Sequence, residues 1–147
     1  MREELYKVVN FWYDKGVRGF RFDVINVIGK SEELEDAPAG VVDKTLYTDT
    51  PIVHTRLREL NRVSFGRYGD TVTVGEMSST SIENCVGYSN PENRELDMVF
   101  SFHHLKVDYE DGEKWSKVPF RFAELKGLLN DWALGMQAGG GWNALFW

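Results

Sequence analysis

The stretch Gly19-Phe20-Arg21-Phe22-Asp23-Val24 alternates strictly, with Phe20, Phe22 and Val24 on one parity and Arg21 and Asp23 on the other. Period-two alternation predicts a strand over 19–24 with both charges on one side. Before it, Leu5, Val8, Val9, Trp12 and Tyr13 recur at helical spacing, and Gly16 stands where such a helix ends. After a polar loop, Asp49 or Thr50 before Pro51 marks a helix start, with Val53, Leu57 and Leu60 as its apolar face. A second strand is expected over 71–77, and a short helix over 82–87 behind the cap-rich Ser78–Ser81. A third strand follows over 96–102, where Leu96, Met98, Phe100 and Phe102 alternate. The long polar loop from His103 to Trp115 leads to a helix marked by Leu125, Leu128, Leu129, Trp132 and Met136. Gly139–Gly141 breaks that helix, and a fourth strand is expected over 142–147.

Helix then strand, four times over, requires parallel pairing through crossover connections. Doubly wound sheets and (β/α)₈ barrels both satisfy that order. The barrel is favoured because charged residues recur at the carboxyl ends of successive strands, where barrel active sites lie. The expected fold class is therefore α/β, a partial (β/α)₈ TIM barrel of about four βα units. A whole barrel takes about 250 residues. The 147 residues are accordingly expected to be the central part of one barrel domain over 1–147, incomplete at both ends and without an internal boundary.

Composition narrows the class. An apolar share of 42% is enough for a packed core. No run of about 18 apolar residues occurs, so no membrane span is expected, and no basic start with an apolar h-region marks a secretory leader. The single Cys85 has no partner for a disulfide, which points to a reducing, cytoplasmic setting. A net charge of −6 argues against nucleic acid as a partner. No metal, nucleotide or flavin signature appears, so no cofactor is expected, and the oligomeric state is open.

Arg21 and Asp23, two apart on a strand, face the same way, so the guanidinium can hold the carboxylate ionised. The same pair equally suits a structural ion pair at a strand end. Glu76 ends the second strand after Val74-Gly75. Two carboxyls crowning neighbouring strands fit a retaining glycosidase, whose nucleophile and acid/base stand about 5–5.5 Å apart. Glu76 could instead cap the turn into the next helix. Strict alternation also puts Glu76 on the parity of Val72 and Val74, so its inward aim is expected to need a twist or bulge near Gly75.

Gly19-Phe20-Arg21-Phe22-Asp23-Val24-Ile25-Asn26 closely resembles the nucleophile strand of the α-amylase-type glycoside hydrolases, often called family 13. Thr73-Val74-Gly75-Glu76-Met77 looks like that family's acid/base strand, and Leu96-Asp97-Met98-Val99-Phe100 resembles the next strand of its α-glucosidase branch. The resemblance covers essentially the whole chain. It implies a retaining α-glucoside hydrolase with Asp23 as nucleophile, Glu76 as acid/base and Arg21 beside Asp23. It also implies that the chain runs from the helix before the fourth barrel strand through the seventh. The family's histidine-bearing strand end before the nucleophile, and its Asn-His-Asp after the seventh strand, are not in this sequence. The chain alone is therefore expected to be inactive.

Substrate choice is read from two places. Val24, after the nucleophile, is by resemblance typical of enzymes on α-1,6 glucosides and their relatives. The loop Phe102-His103-His104-Leu105-Lys106-Val107-Asp108-Tyr109, continued by Gly112-Glu113-Lys114-Trp115, puts His103 and Lys106 where oligo-1,6-glucosidases carry acidic residues. With His104 and Lys114 these residues can form a cationic patch, which suits a phosphate ester rather than a neutral sugar. The loop, and Gly75-Glu76-Met77-Ser78-Ser79-Thr80-Ser81, resemble those of family members that hydrolyse trehalose 6-phosphate to glucose and glucose 6-phosphate. A phosphorylated disaccharide is thus the expected substrate. The alternatives are an oligo-1,6-glucosidase or other α-glucosidase, and a truncated, non-catalytic relative. A Lys- and His-bearing loop is also commonly just a solvated face. Trp12, Trp132 and Trp142 are expected in the core, with Trp115 free to stack on a sugar. Cys85 is expected as a small buried hydrophobe, His54 on the surface or at a cap, and Glu32–Asp36 in a solvated loop.

Overall fold

A computed structural model describes residues 1–33 and 35–143. The first helix, α1 (Arg2–Asp14), ends as Gly16 foretold. Gly16 has φ +98°, its N–H bonds the Tyr13 carbonyl at 2.9 Å, and the Val17 N–H reaches back to the Trp12 carbonyl at 3.0 Å. That is a Schellman stop, which a residue with a Cβ adopts only with strain. Three strands follow, β1 (Gly19–Phe22), β2 (Val72–Met77) and β3 (Met98–Ser101), paired in the order β1-β2-β3 with both pairings parallel. The connections carry α2 (Pro51–Val63) and α3 (Ile82–Ser89). The last helix is α4 (Phe122–Ala138).

The two faces of the sheet differ. On one face Phe20 and Phe22 of β1, Met77 of β2 and Val99 of β3 join a core with Phe65. Val53 and Leu57 of α2, Cys85 and Tyr88 of α3, and Trp132 and Met136 of α4 complete it. The opposite face carries Arg21, Val72, Val74 and Glu76, with Met98 and Phe100 paired opposite Val74 and Glu76. Val72 is 47% exposed there, whereas Val53 and Leu57 are fully buried.

Strand lengths are shorter than the alternation predicts. β1 stops at Phe22, because Val24 turns into the left-handed region (φ 43°, ψ 43°) and begins a 3₁₀ turn over Ile25–Val27. β3 starts at Met98 rather than Leu96. There the Asp97 carboxylate accepts the Thr73 N–H at 2.7 Å and the Thr73 hydroxyl at 2.8 Å, so a side chain replaces a ladder bond. Of the fourth strand expected over 142–147, Ala144–Trp147 lie outside the described residues. Asn143 forms a parallel bridge to Val99, and the Val99 N–H donates to the Trp142 carbonyl at 3.1 Å.

Three core expectations need correction. Trp132 is buried, but Trp12 is 51% exposed, because α1 presents only Val9 to the core, and Trp142, past the end of α4, is 64% exposed. His54 is neither a surface nor a cap residue. Its Nδ1 bonds the fully buried Glu95 carboxylate at 2.8 Å, and its ring stacks on Tyr88 with centroids 4.4 Å apart. Arg58 donates to the same carboxylate at 3.1 Å, which supplies the partners a buried charge requires. Cys85 is buried as expected, and burial pushes its thiol up to about 12. Among the described residues no helix is long and apolar enough to cross a membrane.

The difference between the faces makes a prediction. Leu57→Ala is expected to cost about 2–5 kcal/mol, as cavity-forming core truncations do, while Val72→Ala on the open face costs under about 1 kcal/mol. Urea unfolding of both variants checks this. Equal losses would mean that the two faces are packed alike.

Candidate active site

The register of β1 and β2 builds the site. Arg21 pairs with Val74 and Phe22 with Gly75. In a parallel pair, opposed residues point to the same face. Arg21 therefore shares a face with Val72, Val74 and Glu76. Pairing runs unbroken from Val72 through Gly75 with β1 and from Val74 through Met77 with β3, so no bulge is needed to aim Glu76. The expected distortion near Gly75 is corrected by the burial of the other parity, since Thr73 and Met77 are fully buried. Gly75 itself packs tightly: a Cβ would come within 2.6 Å of Leu96 Cδ1 and 2.7 Å of Met77 Cε.

One guanidinium holds both acids. Arg21 Nη1 donates to Asp23 Oδ1 at 2.8 Å, and Nη2 donates to Glu76 Oε2. The Arg21 guanidinium carbon lies 5.8 Å from the centroid of the Phe100 ring. The acids differ in exposure: the Asp23 side chain is 71% exposed and that of Glu76 only 11%. Burial pushes the Glu76 carboxyl above its ordinary value, Arg21 pulls it down, and the Asp23 carboxylate pushes it up again, leaving a net rise. A buried carboxyl raised above its ordinary value beside an open, ion-paired one is the division of labour that acid–nucleophile pairs use.

The phosphate-loop residues fare differently. His103–Lys106 form a 3₁₀ turn. His103 Nε2 donates to the Thr80 carbonyl at 2.8 Å, and its ring stacks on Trp132 with centroids 5.2 Å apart. His104 is buried. Lys106 and Lys114 are exposed, and the Lys114 ammonium lies 5.1 Å from the centroid of the Trp115 ring, itself 84% exposed. Arg21, Asp23 and Glu76 thus converge, while the two histidines turn into the fold and the two lysines face solvent. The acidic residues Glu32, Glu33, Glu35 and Asp36 are exposed.

Other polar residues near the strand ends were not singled out by the sequence. Lys44 donates to the Ser78 hydroxyl and, at 3.4 Å, to that of Ser79. A lysine in a polar loop gives no sign of a partner 34 residues away. Asn26 and Asp49 are bonded to each other, and Asn26 also to the chain after β2. Asn26 closes the stretch that begins at Gly19, and Asp49 shows in the sequence only as a possible helix start.

Residues 1–147 match the alpha-amylase family model, described as "Alpha amylase, catalytic domain". The chain is 54% identical over 147 residues to the trehalose-6-phosphate hydrolase of Bacillus subtilis, covering all of this chain and 26% of that protein. It is 40% identical to the oligo-1,6-glucosidase of Parageobacillus thermoglucosidasius, covering 99% of this chain and 26% of the relative. The crystal structure of Bacillus licheniformis trehalose-6-phosphate hydrolase superposes with a TM-score of 0.92 at 54% identity, covering 99% of this chain and 26% of that one. The chain thus spans about a quarter of the length of the relatives it matches.

The raised Glu76 carboxyl makes a signed prediction. A carboxyl raised on folding stabilises the fold below its unfolded value of about 4.3 and loses that stabilisation as pH rises through the folded value. Glu76→Gln should therefore match the parent near pH 4 and gain relative to it toward pH 7. Urea midpoints across that range are the measurement. A glutamine variant weaker than the parent near pH 7 would mean that attraction to Arg21 outweighs the cost of burial.

Proposed function

Because the chain belongs to the alpha-amylase catalytic-domain family, we propose that it is the central part of a (β/α)₈ barrel, running from the helix before the fourth strand through the seventh. In that barrel it supplies the nucleophile and the acid/base of a retaining α-glucoside hydrolase. The observation that carries this reading is the single guanidinium shared by an exposed Asp23 and a buried Glu76.

In the first step an Asp23 oxygen attacks the anomeric carbon while the glycosidic C–O bond breaks, and Glu76 gives its proton to the departing oxygen. In the second, Glu76, now a carboxylate, takes a proton from water. The hydroxide attacks the same carbon and releases Asp23. Arg21, through its bond to Asp23 Oδ1, aims the Asp23 carboxylate before the attack.

The substrate we assign is trehalose 6-phosphate, cleaved to glucose and glucose 6-phosphate. The higher identity to a trehalose-6-phosphate hydrolase than to an oligo-1,6-glucosidase supports it, as do Lys106 and Lys114 in the loop after β3. In this assignment the exposed lysines meet the phosphate, and His103 and His104 hold the loop that carries them. The single Cys85, a free buried thiol, supports a cytoplasmic setting.

The test is a chimera in which this chain replaces the matching segment of the Bacillus subtilis enzyme. Asp23→Asn is expected to abolish turnover. Lys106→Ala and Lys114→Ala are each expected to cost about 1.5–3 kcal/mol on trehalose 6-phosphate, roughly tenfold to a hundredfold in kcat/KM, with an aryl α-glucoside nearly unaffected. Equal losses on both substrates would remove the phosphate role from the lysines.

A further inference from the structure

We propose that Asn26 is a positioning residue for the catalytic pair, joining the exit of the nucleophile's strand to the exit of the acid/base strand. The proposal rests on the assignment of Asp23 and Glu76 above. The β1–β2 ladder ends at the Phe22–Gly75 pair, and the chain then leaves the sheet through Val24. Beyond that point the Asn26 amide takes over. Its Nδ2 donates to the Ser78 carbonyl at 2.8 Å, and its Oδ1 accepts the Ser78 N–H at 2.8 Å. These are the two bonds a neighbouring strand would offer one residue, made here by a fully buried side chain.

A second layer fixes which way the amide points. Nδ2 also donates to Asp49 Oδ1 at 3.0 Å, and the Asp49 N–H donates to the Asn26 carbonyl at 2.9 Å. The Asp49 carboxylate is held in turn by Asn84 Nδ2 and by the Tyr88 hydroxyl, each at 2.9 Å. A flipped amide would set its oxygen against both the Asp49 carboxylate and the Ser78 carbonyl. The orientation is therefore unique, as in fully satisfied buried networks. Asn26 lies three residues after Asp23, and Ser78 two after Glu76. The clamp thus sets the spacing of the two carboxyls through the backbone without touching either. An acid displaced by about 1 Å can lose a hundredfold in rate.

The chimera described above provides the test, with two aryl α-glucosides that carry no phosphate. The 2,4-dinitrophenyl leaving group departs without a proton, and the 4-methoxyphenyl group needs one from Glu76. Asn26→Ala is expected to lower kcat/KM, which reports the first step alone, about tenfold to a hundredfold on the methoxyphenyl substrate and less than about threefold on the dinitrophenyl one. Asn26→Asp keeps the shape but loses the donor. Its deficit should narrow from about pH 7 to about pH 5, as the introduced carboxyl takes up a proton and regains an O–H for the Ser78 carbonyl. Equal losses on both substrates, or no loss, would overturn the proposal. So would failure of both variants to fold, which assigns the side chain to stability alone. A parent chimera inactive on every aryl α-glucoside would overturn the catalytic assignment itself. A parent active on these but not on trehalose 6-phosphate would overturn only the substrate.

Discussion

The pairing of Arg21 opposite Val74 is the constraint on which the site depends. It puts the guanidinium on the face of Glu76 and one step short of Asp23, so three polar side chains meet at the exits of two neighbouring strands. A one-residue slip of β1 would move Arg21 to the face of Thr73 and Met77, among the helices, and Phe20 and Phe22 to the open face. Burial of those two phenylalanines against Phe65 and its neighbours therefore fixes the chemistry on the other side of the sheet. Gly75 contributes from beneath Glu76, since any side chain there meets Leu96 and Met77.

The fold has two buried glutamates, handled in opposite ways. Glu95 is fully enclosed and meets His54 and Arg58, a closed arrangement that joins α2 to the chain leaving α3. Glu76 keeps a window to the open face and a single guanidinium that it shares with Asp23. Removing one partner from the first cluster strands a charge in the interior, the costly kind of deletion. The second is left short of full compensation, and that shortfall raises the Glu76 carboxyl above its ordinary value.

Much of this was legible in the sequence because it depends on short-range pattern. The Gly16 stop, the start at Pro51, the apolar face of α2 and the Arg21–Asp23 parity are all set within a few residues. The misses share a different cause. Parity says which residues share a face but not which face is buried, so Val72 and Val74 were set on the wrong side of the sheet. Alternation likewise continued through Val24, although the backbone had already turned; nothing in a valine announces a left-handed conformation. Helical spacing placed Trp12 in the core, but how much of a helix is covered depends on its neighbours. Lys44, His54 and Asn26 find partners 34, 41 and 52 residues away, which no local signal reports.

Val24 has a further consequence. A β-branched residue in the left-handed well lies about 1–2 kcal/mol above its relaxed state. It stays there only while the surrounding bonds hold, so the turn that carries Asp23 outward behaves as a loaded spring. The buried Asn26 amide, two residues on, is what keeps it wound, so the strain at Val24 is held by bonds to the neighbouring strand exit rather than by its own backbone.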